Sequence, residues 1–252
     1  MNGLLFTHQG WTDIVNCLAL INHYAGVYKR LYILVREDAR PLILFYTRGL
    51  RNVIPLFRPK ADLDFKHWSA SIDPLLLPLS LEFIGHHDRN RTDALVGAFG
   101  RYGEPFERAF YEAYGHPYEM RISAFKLNRA PDDEAHRFAQ YARSEPYLCV
   151  HSNRAAGLIP PVPEGSLTVE LHESSPAFFD MLKVLMHAKE IHLIDSVWAS
   201  ICYQIDASEG LLSHVPITVY CYRGYSRMFT EPKLLPNWTV RLIEEVQAPR
   251  AG

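Results

Sequence analysis

The sequence predicts an α/β fold made of two halves, each of which alternates short strands with helices. Two observations predict it: apolar runs of strand length alternate with helix-like segments along most of the chain, and polar residues follow several of those runs directly. Short apolar strands separated by helices imply parallel pairing through right-handed crossovers. The first half is therefore predicted to be a Rossmann-like unit, and a second such series begins between residues 115 and 145.

The N-terminal half begins with a strand over 3–9 and a helix over 13–28. The helix has apolar residues at a spacing that buries one face. Its other side is also partly apolar, as expected of a helix packed deep against a sheet. Further strands are predicted at 31–35, 52–57 and 80–85, and further helices at 37–47 and at 104–115, where Gly115 ends the helix.

The C-terminal half begins with an amphipathic helix over 131–145, whose first turn is acidic, as the helix dipole favours. A strand over 147–152 leads into a loop rich in Gly and Pro. A later helix has Ser175 as its expected N-cap and Pro176 in its first position. Further strands are predicted at 166–171, 191–195 and 217–222, and a further helix at 196–205.

Composition and charge are those of an ordinary globular protein. The 252 residues carry a formal net charge of −2, which gives no electrostatic reason to expect a nucleic-acid partner. The four cysteines are widely spaced in apolar segments, so we expect reduced core thiols and no thiolate zinc site. The start lacks the features of a signal peptide, and no apolar run approaches the roughly 18 residues of a membrane span. We therefore expect a cytoplasmic protein without a transmembrane segment.

Ligands of open α/β sheets bind at the carboxyl ends of the strands, where loops and helix N-termini converge. The first such position follows the opening strand and contains His8, Gly10, Thr12 and Asp13. Gly10 allows close backbone approach or a positive φ, and Thr12 and Asp13 occupy the positions of an N-cap and a first-turn acid. Asp13 can therefore cap the helix, act as a general base on a substrate hydroxyl, or do both.

A second candidate site follows the strand at 147–152. It comprises His151, Ser152, Asn153 and Arg154. A guanidinium group can hold a phosphate through two parallel hydrogen bonds, so Arg154 is a candidate phosphate ligand. A solvated loop arginine is the alternative interpretation.

Asp195 and Ser196 stand between the strand at 191–195 and the helix at 196–205. Unpaired N–H groups point outward at a helix N-terminus, so this position suits an anion or a ribose. Ser196 acting as a cap alone is the alternative. Arg223, just past the last buried strand and before a glycine, is a further basic candidate.

The loop 86–93 concentrates histidines, aspartates and arginines. Because His86 and His87 are adjacent, they lack the spacing with which two histidines usually bind one metal ion. We therefore expect either a polar acceptor-binding loop, with His86 and Asp88 near the acceptor, or a solvated turn, instead of a metal site. No dinucleotide-binding fingerprint, phosphate-binding loop or Gly-x-Ser-x-Gly motif occurs in the chain.

Four stretches together resemble glycosyltransferases of the GT-B class, and more specifically the ADP-heptose–lipopolysaccharide heptosyltransferases and related bacterial or viral polysaccharide enzymes. They are HQGWTDIVNCLALINHYA (8–25), FYEAYGHPYEMRISAFKLNR (110–129), PYLCVHSN (146–153) and AKEIHLIDSVWASICYQID (188–206). The resemblance implies a compact GT-B-like pair of Rossmann-like domains facing across a cleft. The acceptor-side domain would span 1–125 and the donor-nucleotide-side domain 126–252.

The resemblance implies transfer of a sugar from a nucleotide-diphosphate sugar to a hydroxyl of a glycan or glycolipid acceptor. Heptosyltransferases carry a Gly-Asp pair at the first strand–helix turn, and its aspartate is the proposed general base. Asp13 occupies that place, although two residues separate it from Gly10. No metal ion or other cofactor is implied. The acceptor is expected to contact His8, Gly10, Thr12, His86 and Asp88, and the donor His151, Ser152, Asn153, Arg154, Asp195, Ser196 and Arg223.

Two other interpretations remain open. A non-catalytic nucleotide- or sugar-binding module, or a degenerate transferase half acting with a partner, would bind ligand without forming product. A metal-dependent transferase of the GT-A type would use Asp62 and Asp64, which form an Asp-x-Asp pair. That pair follows Arg-Pro-Lys-Ala instead of a buried strand, which favours a surface loop.

Overall fold

The chain divides into two compact units, Met1–Asn128 and Arg129–Gly252. Each unit contains one parallel β-sheet with helices, so the predicted α/β class with two Rossmann-like sheets is confirmed. The computed structural model describes residues 1–7, 10–59, 81–85, 108–112, 114–141, 145–172, 178–222 and 234–243.

The sheet of the first unit confirms the four strands predicted from the sequence. They are β1 (Asn2–Phe6), β2 (Arg30–Arg36), β3 (Val53–Arg58) and β4 (Leu81–Gly85). All pair in parallel, in the order β3-β2-β1-β4. From β1 the chain steps outward to β2 and β3 and then returns to β4 on the other side of β1. The strand order therefore reverses between β1 and β4.

The described helices of the first unit are shorter than the sequence predicts. They are α1 (Trp11–Asn16), α2 (Leu18–Val27), α3 (Arg40–Tyr46), α4 (Arg108–Glu112) and α5 (Met120–Ser123), with a 3₁₀ turn at Glu37–Ala39. The helix predicted at 104–115 is described only from Arg108, and residues 104–107 lie outside the described part. Gly115 has a positive φ of 76°, as expected of a residue that ends a helix.

The helix predicted over 13–28 begins two residues earlier, at Trp11, and is divided at Cys17. A continuous helix would use the Asn16 carbonyl to accept the N–H of Leu20. Instead the Asn16 carbonyl accepts the Tyr111 hydroxyl, and the Leu20 N–H bonds the Cys17 carbonyl at 3.0 Å. A residue distant in the sequence therefore causes the break, which local periodicity does not reveal.

The sheet of the second unit has five described strands, of which the sequence predicted four. They are β5 (Leu148–His151), β6 (Thr168–Glu170), β7 (Glu190–Ile194), β8 (Ile217–Cys221) and β9 (Trp238–Leu242). All pair in parallel in the order β6-β5-β7-β8-β9. After β6 the chain crosses to the other side of β5, so the order reverses between β5 and β7.

The described helices of the second unit are α6 (Pro131–Tyr141), α7 (Leu182–Met186) and α8 (Val197–Glu209), with 3₁₀ turns at Arg154–Ala156 and Phe179–Met181. The predicted helix at 196–205 is confirmed and extends to Glu209. Ser175 and Pro176, the expected start of an earlier helix, lie outside the described residues.

Strand β9, which the sequence did not predict, is fastened by a buried carboxylate. Asp206 in α8 accepts the Trp238 indole N–H at 2.8 Å and the Asn237 amide at 3.0 Å through Oδ2. Its other oxygen accepts the Leu212 N–H at 3.1 Å. Because three donors converge on one side chain, Asp206 ties β9 and the turn after α8 to the helix itself.

The cysteines occupy the cores, as the sequence predicted. Cys17, Cys149, Cys202 and Cys221 are all buried and free, which confirms the expectation of reduced core thiols. Burial raises the pKa of the Cys149 and Cys202 thiols far above their ordinary value, so neither is a ready nucleophile. Within the described ranges, no helix has both the length and the apolar character that a membrane crossing requires.

Replacement of Asp206 by alanine is expected to destabilise the second unit by about 3 kcal/mol, because it leaves the buried Trp238 indole N–H and Leu212 N–H without their acceptor. The Asn237 amide keeps the Leu212 and Val215 carbonyls as acceptors. Urea denaturation followed by circular dichroism measures the loss. Asp206→Asn, which retains one carbonyl oxygen, should lose less, and Glu164→Ala at an exposed position should stay within about 0.5 kcal/mol of the parent. Equal midpoints for Asp206→Ala and Glu164→Ala would contradict the assigned role.

Candidate functional site

Asp13 lies in the first turn of α1, immediately beyond the carboxyl end of β1. Its Oδ2 accepts the backbone N–H of Gly10 at 3.1 Å, and the residue is buried, with 7% of its surface exposed. The first-turn acid predicted at Asp13 is therefore confirmed. The N-cap predicted at Thr12 is wrong, because α1 begins at Trp11 and Gly10 is its N-cap. The helix starts earlier because Asp13 bonds back to Gly10.

A glycine is required at position 10 because the Asp13 side chain lies close to it, and not because the backbone conformation is unusual. Its φ is −75°, which any residue adopts. A Cβ atom at this position would lie 2.5 Å from Asp13 Oδ2, well inside van der Waals contact. A side chain at Gly10 would therefore push the Asp13 carboxylate out of its place.

Two arginines that the sequence did not single out end the neighbouring strands. Arg36 ends β2 and Arg58 ends β3, and their Cα atoms are partners in the parallel register. The Arg36 guanidinium lies over the Trp11 ring, 5.4 Å from its centroid, and makes two hydrogen bonds to the Asp38 carboxylate. Each arginine directly follows a strand predicted from the sequence, and this position was a signal that could have identified it. The carboxyl edge of this sheet therefore combines a carboxylate with cationic groups.

His151 and Ser196 meet where the strand order of the second sheet reverses. His151 is the last residue of β5, and Ser196 follows β7 as the N-cap of α8. The Ser196 hydroxyl and His151 Nδ1 are 2.8 Å apart. Ser196 makes no side-chain hydrogen bond to the N–H groups of its own helix, because its hydroxyl bonds the His151 imidazole instead. Crevices at such reversals are where open α/β sheets bind ligands.

The imidazole of His151 is kept neutral by its surroundings. The side chain is fully buried, and burial lowers its pKa from 6.5 to about 4, although nearby Glu170 acts in the opposite direction. At neutral pH the ring therefore carries one proton and bonds as a neutral partner of Ser196. Such a pair can orient a hydroxyl towards a ligand without adding charge to the site.

Ser152 and Arg154 share one acceptor, the Glu170 carboxylate at the end of β6. The Ser152 hydroxyl donates to Oε1 at 2.6 Å, and the Arg154 guanidinium donates at 3.2 and 3.4 Å. The bond from Ser152, aided by Arg154, lowers the pKa of Glu170 and keeps it ionised. Asn153 instead has a local role, because its Oδ1 accepts the Ala156 N–H at 3.1 Å and caps the following turn.

Asp195 lies at the same edge of the second sheet, between β7 and α8. Its backbone N–H bonds the Tyr220 carbonyl at 3.1 Å, and its Oδ1 accepts the Tyr222 N–H at 3.4 Å. The residue therefore links the ends of β7 and β8. Together with His151, Ser152 and Ser196, it makes the carboxyl edge of this sheet polar.

Several candidates lie outside the described residues: His8, Asp62, Asp64, His86, Asp88 and Arg223. Their roles stay predictions from the sequence. Across the described part of the chain, no three His, Cys, Asp or Glu side chains are grouped to hold a metal ion.

The comparisons with known proteins establish the fold. No family model and no curated protein sequence matches the chain. Among solved structures, ADP-heptose lipopolysaccharide heptosyltransferase II of Escherichia coli has a TM-score of 0.51 at 13% identity, over 98% of this chain and 92% of that one. At this identity the similarity shows the fold, and it confirms the resemblance in fold to heptosyltransferases that the sequence predicts.

Two further structures are similar at lower scores. One is the dodecameric iron-containing glycosyltransferase TibC of enterotoxigenic E. coli, with a TM-score of 0.45, 11% identity and coverage of 87% of this chain and 57% of that one. The other is a glycosyl transferase family 9 protein of Veillonella parvula, with a TM-score of 0.44, 8% identity and coverage of 98% and 88%.

The His151 imidazole is expected to make stability depend on acidity. Because burial lowers the pKa of His151 in the folded state, the fold is fully stabilised by the neutral imidazole above about pH 6.5. This contribution is lost as the pH falls towards 4. Over that pH interval the free energy of unfolding of the parent should fall by roughly 2–3 kcal/mol more than that of His151→Gln. Urea midpoints measured from pH 7 to 4 give the two slopes. A His151→Gln slope equal to the parent's would contradict the assignment.

Proposed function

We propose that the protein is a glycosyltransferase that moves a sugar from a nucleotide-diphosphate sugar to a hydroxyl of a glycan or other acceptor, without a bound metal ion. The observation that carries the proposal is the Asp13 carboxylate, held by the Gly10 N–H at the carboxyl end of β1. The shared fold supports it, since the E. coli protein concerned is named an ADP-heptose lipopolysaccharide heptosyltransferase.

Asp13 acts as general base in this proposal. One carboxylate oxygen is occupied by the Gly10 N–H, which fixes the orientation of the group. As the acceptor hydroxyl attacks the anomeric carbon, Asp13 takes its proton, and the bond to the nucleoside diphosphate breaks with its electron pair leaving on the diphosphate. The acceptor would contact Thr12. It would also contact His8, His86 and Asp88, whose roles are predicted from the sequence.

The donor binds, in this proposal, where the strand order of the second sheet reverses. Helix α8 has 13 residues, so its N-terminus presents partial positive charge to a diphosphate. The Ser196 hydroxyl, oriented by neutral His151, would contact the nucleotide or its sugar. Asp195 stands beside it as a ribose or sugar contact, and Asn153 shapes the loop.

Arg154 would compensate the charge of the leaving diphosphate after leaving Glu170. The Arg154 side chain is 70% exposed, and its hydrogen bonds to Glu170 are long, at 3.2 and 3.4 Å. Exposed ion pairs of this kind contribute at most about 1 kcal/mol. A diphosphate carries more negative charge than one carboxylate, so it can take the guanidinium from Glu170. Arg223 is the second cation that the sequence suggests for this role.

Asp13→Asn is expected to lower the rate of sugar transfer by about 10²–10⁴-fold, because the amide cannot take the acceptor proton. The amide oxygen still accepts the Gly10 N–H, so folding and donor binding should be retained. Product formation from nucleotide sugars, followed by release of nucleoside diphosphate, measures the rate.

The matched control is Asp132→Asn, which removes the charge of another first-turn acid, at an exposed position of α6. It should leave transfer unchanged. Unchanged turnover in Asp13→Asn would remove Asp13 from the chemistry.

Nucleotide binding is tested by a thermal-shift screen with UDP, GDP, ADP, CMP and their sugars. One nucleotide is expected to raise the melting temperature, and Arg154→Gln should weaken its binding by about tenfold or more, since a charge-assisted hydrogen bond is lost. Lys189→Gln removes the same charge at the opposite, amino edge of the sheet and should bind as the parent does. Stabilisation without product from any acceptor would favour the non-catalytic binding module. Activity lost with EDTA would favour the metal-dependent alternative.

A further inference from the structure

The crossover from β5 to β6 contains no α-helix. Residues 152–167 include one 3₁₀ turn, Arg154–Ala156, and the stretch Leu158–Pro163, here called the proline segment, which has no regular secondary structure beyond a bridge from Leu158 to Asn153. A helix would satisfy its own backbone groups, whereas the carbonyls of such a segment need partners from elsewhere. Two phenols supply them: the Tyr222 hydroxyl donates to the Ile159 carbonyl at 2.6 Å, and the Tyr220 hydroxyl lies 3.3 Å from the Pro161 carbonyl.

The Tyr220 hydroxyl has a second partner within reach. His192 Nδ1 lies 3.2 Å from the Tyr220 oxygen, and the two rings are stacked with centroids 6.1 Å apart. The other ring nitrogen, Nε2, lies 3.2 Å from the Glu190 carboxylate. Glu190, His192, Tyr220 and the Pro161 carbonyl therefore form one chain of polar contacts from β7 to the proline segment.

The number of protons on His192 and Tyr220 determines which of these contacts can form at the same time. A phenol has one proton to donate, and a carboxylate only accepts. With neutral His192, Nε2–H donates to Glu190 and Nδ1 accepts the Tyr220 proton, so the Pro161 carbonyl receives none. With protonated His192, Nδ1–H donates to the Tyr220 oxygen, and the Tyr220 proton turns to Pro161. All three contacts are satisfied together when the imidazole is protonated.

We propose that His192 is a proton-controlled tether of the proline segment. Protonation transfers the Tyr220 hydrogen bond to the Pro161 carbonyl and fastens the segment to β8, and deprotonation releases that bond. Because Arg154 belongs to the same crossover, Tyr220 and Tyr222 are positioning residues for the loop on which the donor contacts depend. The tether itself follows from the hydrogen-bonding groups and holds whether or not the chain transfers sugar.

The charges around His192 set the pH range in which the tether closes. Burial lowers the pKa of His192 from its ordinary 6.5, Glu190 on the same strand raises it, and Arg241 on β9 lowers it. Its Cα partners, Val150 on β5 and Thr218 on β8, carry no charge. Burial raises the pKa of Tyr220, so the phenol keeps its proton throughout. The tether therefore closes on acidification, at a pH below the ordinary pKa of histidine, while the stability of the whole fold, which favours neutral imidazole, decreases.

Hydrogen–deuterium exchange of the full chain between pH 7.5 and 5, corrected for intrinsic exchange rates, tests the tether. Peptides covering residues 152–163 report on amides such as Leu158 N–H, which bonds the Asn153 carbonyl at 2.9 Å. One added hydrogen bond should raise their protection about 2- to 10-fold in the parent as the pH falls. Tyr220→Phe, which retains the ring, should lose this rise.

Three further variants make the test specific. Tyr222→Phe should lower protection at every pH while keeping the rise on acidification. Glu190→Gln should move the rise to lower pH, because the carboxylate that favours the imidazolium is gone. His192→Gln should show no rise. A rise of equal size in Tyr220→Phe or in His192→Gln, or protection in the parent that does not change with pH, would overturn the proposal.

Discussion

Every strand that the structure describes pairs in parallel with its neighbours, and this requirement decides where the polar residues of both sheets lie. Parallel strands need crossovers that bring the chain back to the amino end, so all carboxyl ends of one sheet share one edge. The central strands β1, β2, β5, β7 and β8 are buried along most of their length, so their ends are the main places for polar groups that meet a ligand. Asp13 in one unit, and His151 with Ser196 in the other, occupy such ends.

Each of these groups is held by a partner that local folding supplies. Asp13 is oriented by the N–H of Gly10, which lies three residues before it and has no side chain to obstruct it. Ser196 is oriented by an imidazole whose burial keeps it uncharged. In both units a helix N-terminus follows the strand, so the partial positive charge of the helix and the fixed polar group reach the same position. Preorganised groups of this kind need no rearrangement to meet a ligand.

Local pattern was sufficient to predict eight of the described strands and the strand-end positions of Asp13, His151 and Ser196, because hydrophobic periodicity records burial directly. It was insufficient wherever a distant residue decides the outcome. The break at Cys17 depends on Tyr111, and strand β9 depends on Asp206. The pairing of Arg154 with Glu170 requires β5 and β6 to be neighbours, and the alignment of Arg36 with Arg58 requires the register of β2 and β3. These pairings depend on the order and register of the strands, which cannot be deduced from the spacing of residues within one segment.

The crossover between β5 and β6 shows how a loop without a helix obtains a defined position. Its Ile159 carbonyl accepts the Tyr222 hydroxyl, and its Pro161 carbonyl lies within reach of the Tyr220 hydroxyl of β8. Its Ser152 and Arg154 side chains bond Glu170 at the end of β6. The loop is therefore fixed by side chains of neighbouring strands in addition to its own backbone pairing of Asn153 with Leu158. Each such bond contributes about 1 kcal/mol, so a ligand can exchange one without unfolding the sheet. A helix in the same place would be stiffer, because its hydrogen bonds break cooperatively. A loop fastened by side chains thus has a definite resting position and, in the proposed function, can still release Arg154 to a diphosphate.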